Sequence, residues 1–140
     1  MAVWRQKAIE LFPQLRDLNS GEYTIYSLFT DLRGELEQAH EANDADALDR
    51  LYSFAEWCLR QKDLNNSAAV AFYEHLFELK QAHWPAIIRR LSPQVVQEVC
   101  PLWEWLLSAD RFRELQKRLE AQGKAVARPR QGVTRGRPKR

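Results

Sequence analysis

Apolar residues recur at spacings of three and four along nearly the whole chain, and that periodicity admits little besides packed amphipathic helices. Trp4, Ala8, Leu11, Phe12, Leu15 and Leu18 share one stripe, with Pro13 set to kink or break it because its ring clashes with the carbonyl of Ile9. Ile25, Leu28, Phe29, Leu32, Leu36 and Ala39 mark a second helix whose opposite side is charged. Asn43 is expected to cap the third, with Leu48, Leu51, Tyr52, Ala55, Cys58 and Leu59 facing inward and Phe54 and Trp57 off that stripe. The stretch from Leu64 to Lys80 is apolar almost all round, which predicts a single buried central helix. Ser92 and Pro93 open another helix, which Pro101 should divide or bend; Pro85 suits a first helical position. Phe112, Leu115 and Leu119 make the seam of a last helix that Gly123 terminates. No alternating β-branched run is present, so the expected class is all-α. The expected architecture is a single compact bundle of five to seven helices, or stacked helical pairs, over residues 1–122, followed by a disordered basic tail over 123–140.

Charge separates these two parts. Residues 124–140 carry seven basic side chains and no acid, whereas residues 1–123 hold 14 Lys/Arg against 19 Asp/Glu, a net of −5. Such asymmetry predicts that the tail has its own polyanionic partner. Within it, Arg135-Gly136-Arg137-Pro138-Lys139-Arg140 resembles the core of an AT-hook, an extended peptide for the minor groove of A·T-rich DNA. Glycine lets the backbone approach the groove floor, and flanking arginines enter where the potential is most negative. Arg128 and Arg130 would add phosphate contacts, making DNA or RNA a candidate partner.

Catalytic patterns are scarce. Glu37-Gln38-Ala39-His40 is one copy of the E-x-x-H spacing of di-iron bundles, which need two copies and two further glutamates; His40 is expected to be solvated or capping. His75 and His83, eight apart, could share a helix face, and His75 with Cys58 could form a base and nucleophile. A histidine on a buried helix more often satisfies a hydrogen bond, and neither G-x-S-x-G nor a P-loop occurs. The reading is a non-enzymatic protein without cofactor or metal. With no signal-peptide run, no membrane-length apolar stretch and no disulfide pattern at Cys58 and Cys100, it is expected to be cytoplasmic, without membrane contact.

Five tryptophans are many for 140 residues. Trp103 and Trp105, two apart, point about 200° from each other on a helix, so both cannot enter one core. With Trp57 they are the candidate anchors of a protein interface. The stretches Phe54-Ala55-Glu56-Trp57-Cys58 and Asn66-Ser67-Ala68-Ala69-Val70-Ala71-Phe72-Tyr73-Glu74-His75-Leu76, with Ile9-Glu10-Leu11-Phe12-Pro13, resemble a small all-helical bacterial family known only as a domain of unknown function. The resemblance covers roughly residues 3–107 and leaves the tail outside. It implies a helical fold and transfers no catalytic residue. Together these features predict a protein–protein interaction module, adaptor or immunity-like, with an unidentified protein partner. Nucleic-acid contact through the tail is the alternative, and a small enzyme the third.

Overall fold

Pro13 acts where the sequence places it. In the computed structural model, which describes residues 2–126, helix α1 (Val3–Leu11) stops short of the proline. Phe12, the residue before it, leaves the helical region at φ −129°, ψ 63°. That turn sends the Phe12 ring into the core, edge-on to Phe54 at 5.5 Å. The loop that follows contains a 3₁₀ turn, Asp17–Asn19, with Leu18 buried. Arg5 fastens this loop back onto α1: Nη1 donates to the carbonyls of Leu18 (2.6 Å) and Ser20 (3.1 Å), and Nη2 to that of Tyr23 (2.8 Å). A planar guanidinium with five donors is suited to gathering several carbonyls at once.

Helix α2 (Ile25–Ala42) begins with a reciprocal capping box, Thr24 Oγ1 accepting from Ser27 N and Ser27 Oγ accepting from Thr24 N. Its buried side is Leu28, Phe29, Leu32, Leu36, Ala39 and His40. The expected cap of the next helix is displaced by one residue. Asn43 does not open α3 (Ala45–Leu59); it closes α2 in the left-handed conformation, φ 56°, which asparagine tolerates. Asp44 is the N-cap, its Oδ1 accepting from Ala47 N at 3.2 Å. In α3 the residues off the main stripe also pack: Phe54 is fully buried, and Trp57 stacks on it at 6.2 Å.

The predicted central helix is not continuous. It runs as α4 (Asn65–Ala71), breaks at Phe72 (φ −119°, ψ −66°), and proceeds as a 3₁₀ turn, Tyr73–Glu78. Val, Phe, Tyr and His are mediocre helix formers, so packing rather than propensity decides the backbone here. Past the break, Phe72, Tyr73, Leu76 and Phe77 are all buried. Phe72 and Tyr73 stand perpendicular at 5.2 Å, and Phe72 meets Phe29 of α2 at 5.8 Å and Tyr52 of α3 at 5.9 Å.

The chain forms two compact units, dividing between Leu79 and Lys80. The second opens with a 3₁₀ turn, Gln81–His83, and continues through α5 (Trp84–Arg89), α6 (Pro93–Leu106) and α7 (Ala109–Ala121). Ser92 and Ser108 cap α6 and α7 through Val95 N and Arg111 N. Pro101 sits on the exposed side of α6 and does not divide it. The carbonyl that its missing N–H would have engaged belongs to Gln97, which is exposed and open to water. Trp84, Trp103, Ile87, Ile88 and Leu115 are fully buried in this unit. Beyond α7, Gly123 at φ 71° reverses the chain.

The described residues thus make seven α-helices and no strand. No helix among them is long and apolar enough to cross a membrane. The boundary at Leu79 also redraws the charge contrast. Residues 1–79 hold seven Lys/Arg against fourteen Asp/Glu, a net of −7. Residues 80–126 hold eight against five, a net of +3, so basic character begins well before the tail.

Candidate functional site

In the first unit, α2 and the 3₁₀ turn Tyr73–Glu78 diverge enough to leave an open cleft of about 570 Å³. Leu36, Phe72 and Leu76 supply its apolar floor, each nearly inaccessible to solvent. One wall carries Arg33 and Glu37, the other His75 and Glu78. His75 Nδ1 lies 3.0 Å from Glu78 Oε1, a contact one helical turn long that fixes the ring. Arg33 and Glu37 are also one turn apart, yet neither has a hydrogen bond or ion pair among the described residues. Arginine preceding glutamate is the weaker order for such a helical pair, which leaves both charges available. Gly34 lies between them, and a Cβ built on it would meet nothing within 4 Å.

The cleft receives one of the histidines singled out in the sequence and separates it from its supposed partners. Cys58 is fully buried and does not line the cleft. Burial pushes its thiol up to about 12, the nearby Lys7 ammonium only partly offsetting this and Asp63 adding to it. A thiol so held is not the ready thiolate that nucleophilic attack needs. His83 lies in a separate 3₁₀ turn in the second unit, so the helix face expected to carry both histidines does not exist. His40 is neither solvated nor capping: it is buried, with Nε2 at 2.9 Å from the Tyr52 hydroxyl. Glu37 is exposed while His40 is buried, so the single E-x-x-H spacing does not bring the two side chains to one site. No group of three or more His, Cys, Asp or Glu among the described residues is placed to hold a metal ion.

The three tryptophans have three different environments. Trp103 is wholly enclosed and fills the core of the second unit, so it presents no surface to a partner. Trp57 is half-buried, stacked on Phe54, with Lys7 Nζ 5.2 Å from its ring centre. Trp105 is 49% exposed on α6. It shares a face with exposed Pro101 and half-buried Leu102, four and three residues earlier on the helix. The tail residues Arg128, Arg130, Arg135, Gly136, Arg137, Pro138, Lys139 and Arg140 lie outside the described residues.

Tyr23 and Lys124 have shifted acidities as well. Partial burial, with the hydrogen bond to Asp31 and the charges of Asp31 and Asp17, drives the Tyr23 phenol above its ordinary range. Lys124 is depressed, first by burial and then by Arg89, while its Nζ donates to the carbonyls of Ile88 (2.8 Å) and Arg89 (3.3 Å) at the end of α5. Both groups tie loops to helices, and neither lines the cleft.

No curated protein and no solved structure matches the chain. One family does, across residues 5–106, from the Arg5 clamp to the last residue of α6, in close agreement with the extent of the resemblance seen in the sequence. The chain belongs to the family described as Domain of unknown function (DUF7674).

Proposed function

We propose that this protein is a non-catalytic binding module that docks a partner protein on the exposed face of α6. The observation that carries the reading is Trp105, an indole 49% exposed where the same helix buries Trp103 completely. A half-exposed tryptophan with Pro101 and Leu102 one turn away has the composition of an interface anchor, a large rigid apolar surface with a polar N–H at its edge. The test compares immobilised full-length protein with the Trp105→Ser variant in lysate of the source cell, alongside their unfolding curves. The expected result is a stoichiometric protein partner retained by the first and lost by the second at equal stability. A partner held equally by both, or none held by either, would sink the proposal.

A second reading is contact with nucleic acid, favoured by the excess of base that starts at Lys80 and continues into the tail. Residues 80–140 hold fourteen Lys/Arg against five Asp/Glu, a net of +9. Phosphate contacts of this kind weaken steeply with salt. If the R-G-R-P segment grips A·T-rich duplex, truncation after Gly123 abolishes binding and G·C-rich duplex competes poorly. Equal retention of all duplexes would reduce the tail to a general polycation.

A further inference from the structure

The cleft beside α2 contains more chemistry than a docking module on α6 requires, and it stands on separate residues. We propose that it binds a small zwitterion, an α-amino acid with an apolar side chain. Arg33 and Glu37 present opposite charges one helical turn apart, about 5–6 Å between their Cβ atoms, and neither is paired within the described residues. A simple anion would satisfy Arg33 but face Glu37 and Glu78; a simple cation would do the reverse. A molecule with a carboxylate and an ammonium a few ångströms apart answers both, the guanidinium taking the carboxylate through paired N–H donors. Half-buried Leu79, backed by the enclosed Leu36, Phe72 and Leu76, then meets the side chain, and burying that side chain provides affinity that the solvated charges alone would not. The volume of about 570 Å³ lies within the ordinary size of small-molecule sites.

Gly34 is the second, independent observation. A glycine inside a helix forfeits about 0.5–1 kcal/mol relative to alanine. Here no close approach of backbone and no positive φ requires it, since a Cβ would meet nothing. The space it leaves adjoins Arg33 and opens on the cleft. Its absence of side chain therefore does nothing for the fold and keeps the wall low where a ligand would lie.

The test is isothermal titration of the full-length protein with L-leucine and L-phenylalanine. Parallel titrations use 4-methylpentanoate, which lacks the ammonium, 3-methylbutylamine, which lacks the carboxylate, and glycine, which lacks the side chain. Saturable binding of leucine or phenylalanine is expected, with each control at least about tenfold weaker. Arg33→Gln and Glu37→Gln should each weaken binding by a similar factor. Gly34→Leu should abolish it while the unfolding midpoint stays level or rises, because leucine is the better helix former and meets no obstacle. The proposal is overturned if neither amino acid binds up to ~10 mM, a concentration weaker than any useful site. It is equally overturned if the carboxylate or amine control binds as well as leucine, or if Gly34→Leu leaves binding intact.

Discussion

Residues before Leu79 and residues after it reach a packed core by different means. The first unit joins its elements through rings: Phe12 at the end of α1, Phe54 of α3, Phe29 of α2 and Phe72 after α4 form a connected series at 5.5–6.0 Å. The second unit has two enclosed tryptophans in an aliphatic surround, and it is tied at the edge by long polar side chains reaching from α7 and its exit. Arg118 donates to the Gln81 carbonyl, Gln122 to that of Pro85, and Lys124 to Ile88 and Arg89. The difference teaches that the acidic half depends on interior contacts that cannot be moved singly. The basic half closes with hydrogen bonds that solvent can replace.

The strongest way to break that comparison is Phe54→Ala. Phe54 is fully buried and touches the rings of Phe12, Phe29 and Trp57, so truncation should remove about 3–5 kcal/mol of stability. Urea unfolding gives the total, and amide exchange shows where it falls. Protection lost in α3 but kept in α6 and α7 means the halves open separately; loss throughout means one cooperative unit and a false distinction.

Next in size is Arg5→Met, which keeps the apolar stem but strands the carbonyls of Leu18, Ser20 and Tyr23. A loss of about 1–3 kcal/mol is expected, with new proteolytic cleavage between Pro13 and Tyr23. A midpoint unchanged from the parent would show that the clamp contributes nothing.

Alkaline pH should then separate the halves with a smaller, signed effect. Cys58 keeps its proton up to about 12 when folded but releases it near 9.0 when unfolded, so the unfolded state gains as pH rises through that interval. Tyr23, raised above its ordinary 10.0, acts in the same direction. Lys124 acts oppositely, because its folded acidity is greater; the unfolded chain holds the extra proton below 10.5, and stability recovers as pH climbs to that value. Single-tryptophan variants retaining Trp57 or Trp84 should show the first unit weakening above pH 9 while the second does not. Parallel decline in both, or none in the Trp57 variant, would contradict the assignment. Cys58→Ala should remove part of the effect in the first unit.

Most of the helices were legible because Pro13, Ser92, Pro93 and Gly123 are local signals that act through backbone sterics alone. The break at Phe72 was not legible, since the residues around it keep a helical apolar pattern and only the packing of four rings turns the backbone there. Asn43 and Asp44 are both good caps, and which one serves was decided by the left-handed residue that α2 needed to end. The cleft was partly legible: an isolated glycine at 34 inside a strong helical pattern is a signal that asks for a reason. That Arg33 and Glu37 remain unpaired, and that His40 finds Tyr52 twelve residues on, depends on side-chain directions no spacing rule supplies. Trp103 and Trp105 divided between inside and outside as their angular separation demanded, although the angle alone could not say which went where.

The two-residue link between α2 and α3 has a kinetic consequence. Closing so short a connection forfeits little chain entropy, whereas bringing Phe12 to Phe54 closes more than forty residues. The α2–α3 hairpin is therefore the natural nucleus of the first unit, with α1 docking after the rate-limiting barrier. Asp44→Ala should slow refolding, and Phe12→Ala should instead hasten unfolding; a chevron in which both substitutions shift the same limb would refute that order. Polypeptide emerging from the ribosome would hold this hairpin, and with it the α2 side of the cleft, before the opposite wall at Tyr73–Glu78 has been made.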